Sequence, residues 1–360
     1  MAEPDVVLDP DGDLLVILRD PSNIPWVYDE PQSSESKRES GVSMAYSSGL
    51  REAIDAIWCD EEGVPSTHST YSTHSNMSVP LAWLSEVKFL VSSKHLSLAS
   101  LHVRLVLSGP WLEATKTHDD GLRHWVVEGF DANAMSIVLG IMHNRHDNVP
   151  KAVQLDMLVE IARIVDYVGC YDVMVLYAKT LWIPSLKPPI LDSSDIELML
   201  WICIAGVFRE KDIFKECTRL AILGYQSDIP TLGLPILPEI SDEMNRSRES
   251  SIDKLFTFID DLVNRLTRGE TRCSLECDAM YLGMIAKHMH DKWLSPRPTS
   301  PYWGLSVNSV ASTIRGFPHA TKLREVVAGK HDCKTDLSVI KTGCLVLSIE
   351  GLDIKCLKRD

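Results

Sequence analysis

Along residues 86–91 apolar and polar positions alternate, with Val87, Phe89 and Val91 on one side and Lys88 on the other. That is the period of a half-buried strand. The pattern then changes. Ser92 and Ser93 stand where a hydroxyl can accept a bond from an unpaired first-turn N–H and so cap a short helix. Ser100 stands in the same place before a second helix carrying Leu101, Leu105 and Val106. A strand and two short helices, mostly apolar, belong at the centre of a core.

Upstream, Asp9-Pro10-Asp11-Gly12-Asp13 is a turn cluster feeding the apolar run Leu14 to Leu18, which reads as the first strand. Its aspartates are placed like the start of a calcium loop, but glycine stands fourth rather than sixth and a strand follows at once. Downstream, Arg123 to Glu128 reads as another strand. Asp131 is placed to cap a helix whose apolar residues Ala134, Met135, Val138, Ile141 and Met142 share a face. Leu155, Leu158, Val159 and Ala162 predict the next helix, and Val173, Met174, Tyr177 and Leu181 another. Beyond Lys187-Pro188-Pro189 the helical period dominates: Asp195 to Phe208, Lys211 to Leu223, Ile252 to Arg268, Ser274 to Trp293, and a last helix through Leu305, Val310 and Ile314. Ile222 to Ile240 and Ser295 to Pro298 read as loops, and Cys344 to Ile349 as helix or strand. Residues 21–80 are of another kind, rich in Ser, Thr, Glu, Pro and Gly, with Ser66 to Ser75 almost a repeat. Such a stretch buries too little apolar surface to offset its ordering entropy, so a largely disordered insertion is expected, with a short helix near Leu50 to Trp58. Its His68 and His74 are read as solvated rather than metal-binding.

Length and composition add bounds. The 360 residues suffice for two domains, here residues 1–183 and 190–360. With 45% hydrophobic and 24% charged residues the chain reads as a soluble globular protein. A net charge of −14 argues against nucleic acid as partner, since phosphate needs a basic face. The longest apolar run, Ile196 to Phe208, is broken by Glu197 and Gly206 and is too short to span a bilayer, so no membrane role is expected. The N-terminus is acidic, without the apolar stretch of a secretory signal. Nine cysteines without such a signal suggest a reducing compartment, cytoplasm or nucleus.

The segments Phe89 to Ser100 (FLVSSKHLSLAS) and Arg104 to Trp111 (RLVLSGPW) resemble the strand–helix–helix centre of a BTB/POZ domain, in the form found in many fungal proteins. Asp9 to Leu18, Ile137 to Pro150 and Leu158 to Trp182 extend the resemblance, in the family's order, to about half the chain. Leu101 stands where the family usually has proline, and the gap between the first two strands is unusually long. The resemblance implies an α+β fold: a BTB/POZ domain, a small mixed sheet wrapped by helices, followed by a mainly α-helical C-terminal domain. It also implies protein partners, met as a homo- or hetero-dimer through an apolar helix face and strand edges. Val103, Leu105, Val106 and Met142 are the candidates for core or interface, two roles that a helix stripe does not distinguish. In members that recruit a cullin ubiquitin-ligase scaffold, a hydrophobic-x-Glu signature occupies the loop where Trp111-Leu112-Glu113 stands here. An aromatic anchor with a directed carboxylate suits such docking.

Two clusters suggest other chemistry. Cys273 and Cys277, four apart on a predicted helix, share a face, and His331-x-Cys333 supplies two further donors. Together they have the composition of a tetrahedral Cys₃His structural zinc site, with ordinary buried thiols the competing reading. The fungal BTB proteins that the chain resembles carry similar Cys/His pairs in their tails. His288 and His290, two apart, point in different directions and read as surface residues. Ser85-x-x-Lys88, Ser306-x-Asn308 and Lys341-Thr342-Gly343 follow the order of a serine β-lactamase, but Ser85 leads into a strand rather than opening a buried helix. No G-x-S-x-G, P-loop, H-E-x-x-H or G-x-G-x-x-G motif occurs to support another enzyme class. The expectation is a non-enzymatic interaction module; the alternatives are a zinc-stabilised structural protein whose helical C-terminal part is functional and, remotely, a serine acyl-enzyme.

Overall fold

Strand β2 (Leu14–Arg19) shows why its sequence does not alternate: Leu14 to Leu18 are all buried, so both faces of the strand are covered. Strand β1 (Val6–Val7) precedes it, and β3 (Glu86–Val91) and β4 (Arg123–Glu128) follow. The four form one sheet in the order β1-β3-β2-β4. β2 runs antiparallel to β3, with Val16 opposite Phe89, and parallel to β4, with Val16 opposite Trp125; β1 lies parallel to β3 at the other edge. β3 alternates as its sequence predicts, with Val87, Phe89 and Val91 fully buried. The structure is a computed structural model that describes residues 3–21, 81, 84–110, 115–186, 188, 195–270, 274–317 and 349–356. The insertion expected at 21–80 lies almost wholly outside the described residues, as does most of Cys344 to Ile349.

Helices α1 (Ser93–Ala99) and α2 (Leu101–Ser108) follow β3 as predicted. The hydroxyl of Ser100 accepts from the Val103 amide at 3.0 Å, as expected of an N-cap. Ser92 occupies the N-cap of α1, but its hydroxyl makes no capping bond, which corrects the expected role. α3 (Ala132–Met142) is capped by Asp131, whose carboxylate accepts from the Ala134 amide at 2.7 Å. α4 (Leu155–Val168) ends on Gly169 in the left-handed conformation, φ 69°, the backbone that glycine adopts without strain. α5 (Tyr171–Tyr177) runs on through a π-helical turn, Ala178–Trp182, and a final turn, Ile183–Ser185.

One apolar core takes in residues on both sides of the Lys187-Pro188-Pro189 cluster, Trp182 and Ile183 before it and Met199 after it. α6 (Asp195–Phe208) is hydrophobic nearly all round and packs on α4 and on α7 (Lys211–Gly224). Its Trp201, Ile204 and Phe208 belong to the same apolar cluster as Phe89 of the sheet and Ile161 of α4. α8 (Pro238–Thr267) is 30 residues long and starts well before the expected Ile252. Pro238 sits in its first turn, where the missing N–H costs nothing. Ile240, Met244, Arg248 and Ile252, one turn apart, face inward through a stretch that is otherwise polar. A second apolar cluster begins on this helix, where Ile252, Phe256 and Ile259 meet α9 (Leu275–Asp291) and α10 (Val307–Arg315). One helix thus serves both cores, and the change-over falls inside α8. Between the two sets Arg248 is fully buried, donating to the carbonyls of Pro301 at 2.8 Å and Leu305 at 3.2 Å. No described helix is long and apolar enough to cross a membrane.

Candidate functional site

The turn from β3 into α1 is held by two polar networks. In the first, the Ser92 amide donates to His143 Nε2 at 2.9 Å, and His143 Nδ1 lies 2.8 Å from the carbonyl of Leu139. Those partners assign the proton to Nδ1 and the lone pair to Nε2. Burial pushes the His143 imidazole below its usual range, despite the pull of the Leu139 carbonyl. In the second, Asp13 accepts from the Ser93 amide at 2.8 Å and the Ser93 hydroxyl at 2.7 Å. Arg123 donates to Asp13 at 2.6 Å and to the Ser93 oxygen at 2.7 Å. Burial alone would raise the Asp13 carboxyl, but Ser93 and Arg123 together hold it below its usual value. Residues bordering β2, β3 and β4 therefore meet at the start of α1.

The far end of the pair is pinned as well. Ser100 donates to the carbonyl of Val168 at 2.5 Å, joining the start of α2 to the end of α4. A β-carbon on Gly169 would come within 3.3 Å of His102, so glycine there also permits close approach. With its inner face fixed by Val103 and Leu107, α2 turns Leu101 and Leu105 outward at 58% and 60% exposure. The two are one helical turn apart and share a face. Leu98, at the end of α1, is exposed to 86%. The expected candidates thus divide: Val103 and Met142 are core, whereas Leu105 faces solvent and Val106 is half-buried. Leu101, read above only as a residue of the second helix, and Leu98, not singled out at all, join the surface set.

The other expected sites fare unevenly. Trp111 and Glu113 lie outside the described residues, as do Cys273, His331 and Cys333. Cys277 is buried in the first turn of α9, its amide 3.3 Å from the Ser274 hydroxyl. Among the described residues no group of three His, Cys, Asp or Glu side chains is arranged to hold a metal. Ser85 is exposed ahead of β3, and the Lys88 ammonium pairs with Glu86 at 3.0 Å. Ser306 caps α10 in a reciprocal bond with Ser309, and Lys341 to Gly343 lie outside the described residues. His290 is exposed as expected, but His288 is half-buried, its ring edge-on to Phe317 at 5.5 Å, which corrects that surface assignment.

Two grooves, of about 510 and 530 Å³, lie along α8. In the second, Asp253 accepts from Arg297 at 2.6 Å and from the Tyr302 hydroxyl at 2.8 Å, so that carboxylate is committed to neighbours. A scan against protein-family models, a search of curated proteins and a search of solved structures each found no match to this chain. The reading of function therefore rests on the residues themselves.

Proposed function

We propose that the chain is a non-enzymatic protein–protein interaction module of the BTB/POZ type, associating with a second copy or another protein through the outer face of α2. The observation that carries this is the exposure of Leu101 and Leu105 on a helix whose inner face and N-terminus are fixed. Exposed leucines on a held helix cost no reorganisation when covered, and association costs chiefly what must be ordered. Fully burying a leucine yields about 1.5–3 kcal/mol, and these two are already about two-fifths covered, so two from each partner supply roughly 4–7 kcal/mol before the cost of association. The resemblance in Phe89 to Ser100 points the same way, and that stretch forms the end of β3 and helix α1.

Native mass spectrometry of the full chain tests it. Wild type should be dimeric, and Leu101→Glu with Leu105→Glu should be monomeric with an unchanged far-UV spectrum. A wild-type monomer that captures no partner through this face, or a double variant that still pairs, sinks the reading. The cullin-adaptor form of the proposal is narrower. Trp111→Ala with Glu113→Ala should abolish pull-down of a cullin scaffold while leaving dimerisation intact.

A further inference from the structure

The last described segment, residues 349–356, docks on α7 through contacts that read its sequence. Thr218, fully buried, accepts from the Leu352 amide at 2.9 Å while its own hydroxyl is directed to the Phe214 carbonyl at 2.8 Å. Lys215 pairs with Glu350 at 2.6 Å. Gly351 lies so close against the helix that a β-carbon would fall 1.6 Å from the Lys215 carbonyl oxygen and 2.8 Å from Thr218 Oγ1. Both neighbours are held by α7, so no other residue fits at 351 without the segment lifting. Ile354 enters the main apolar core at 8% exposure, Leu352 packs against that core, and Ile349 touches both cores.

Each contact selects one feature: a cation for a carboxylate, absent space for glycine, a buried hydroxyl for a backbone N–H, an apolar seat for isoleucine. Ordinary helix-on-segment packing requires only the last. We propose that this face of α7 is a docking groove for a linear segment of the pattern Glu-Gly-Leu-x-Ile, and that residues 349–356 are its built-in occupant. A partner segment of the same pattern enters only when the chain's own segment lifts. The tethered occupant acts at an effective concentration on the order of millimolar, enough to suppress a partner of micromolar affinity by roughly a hundredfold or more. This does not rest on association through α2.

The test uses the full chain and a fluorescein-labelled peptide of residues 347–355, followed by anisotropy. Wild type should bind the peptide weakly. Gly351→Val in the chain dislodges its own segment and should tighten peptide binding about a hundredfold, whereas a peptide carrying Gly351→Val should bind neither protein. Equal binding by wild type and variant, or of both peptides, overturns the proposal. Should the Gly351→Val chain lose its far-UV spectrum, charge reversal decides. A Lys215→Glu chain should prefer a Glu350→Lys peptide to the native one by a few-fold, the size expected of an exposed ion pair, and the absence of any preference overturns the proposal equally.

Discussion

Acidification should loosen this fold through His143. Its Nε2 must stay unprotonated to accept from the Ser92 amide, and its Nδ1 proton is committed to Leu139. Around it, Asp9 favours the charged ring, while burial, His95 and Arg145 oppose it, and the imidazole is held below its usual 6.5. The sign follows by linkage. The unfolded chain takes up the proton first, so the contribution is fully present above about pH 6.5 and is lost as pH falls towards the folded value. For one such group at pH 5.5 the loss is at most about 1.4 kcal/mol, from the protonation of the unfolded state alone. Urea denaturation of wild type and His143→Gln at pH 7.5 and 5.5, followed by circular dichroism, reads this directly. Wild type should lose about 1 kcal/mol more than the variant over that interval, because the substitution removes this imidazole. Parallel pH dependence in the two proteins would refute the assignment of a neutral, bond-accepting imidazole at this turn.

Other outcomes follow from the same contacts. Val103→Ala removes two buried methyl groups and leaves a cavity, so it should cost about 2–3 kcal/mol in urea denaturation, whereas Leu105→Ala, on the exposed face, should stay within about 0.5 kcal/mol. Arg163→Met removes the guanidinium that Glu160 now receives at 2.8 and 2.9 Å, leaving the buried carboxylate only its backbone bond from Asp131, and should cost about 3 kcal/mol at pH 7. Burial already raises the Glu160 carboxyl, so this cost should shrink at pH 5 as the group takes a proton, and equal losses at the two pH values would contradict the pairing. For the zinc reading, native mass spectrometry should show one zinc per chain that a strong chelator removes and that Cys277→Ser weakens; a metal-free protein before chelation excludes it.

What the sequence made legible was local. The alternation of Val87, Phe89 and Val91, the span Asp195 to Phe208, and the caps at Ser100 and Asp131 are each set by residues within a turn or two of one another. The networks that fix the candidate surface are not of this kind. Ser92 and His143 stand 51 positions apart, Ser93 and Asp13 80 apart, and nothing near any of the four in the chain announces the other. At Ser92 the hydroxyl makes no cap, and the approach to α1 is held instead by tertiary bonds from the Ser92 amide to His143 and from the Ser93 amide to Asp13. The division of α2 was legible only in part, since its period predicts two faces but the side that meets the sheet is chosen by distant packing. The first half of α8 went unread because single inward residues, one per turn, are too sparse to show as an apolar stripe.

That sparse half-helix matters to how the chain is organised. A Lys-Pro-Pro cluster suggested that residues after 190 stand as a separate helical domain, yet α6 places nine buried residues in the core that contains the sheet. A cut at 187–190 would strip α6 from α4 and bare apolar faces on both pieces, so neither has the solvated surface expected at a domain edge. α8 then carries the connection onward, with Met244 in the first core, Ile252 in the second and the Arg248 guanidinium between them. Ile349 also packs against both clusters. Lifting the 349–356 segment therefore removes a contact shared by the two cores as well as opening α7. A partner that competes for that groove would act on the packing around α8, and the exposed leucines of α2 would keep their own support from Ser100 and Val168.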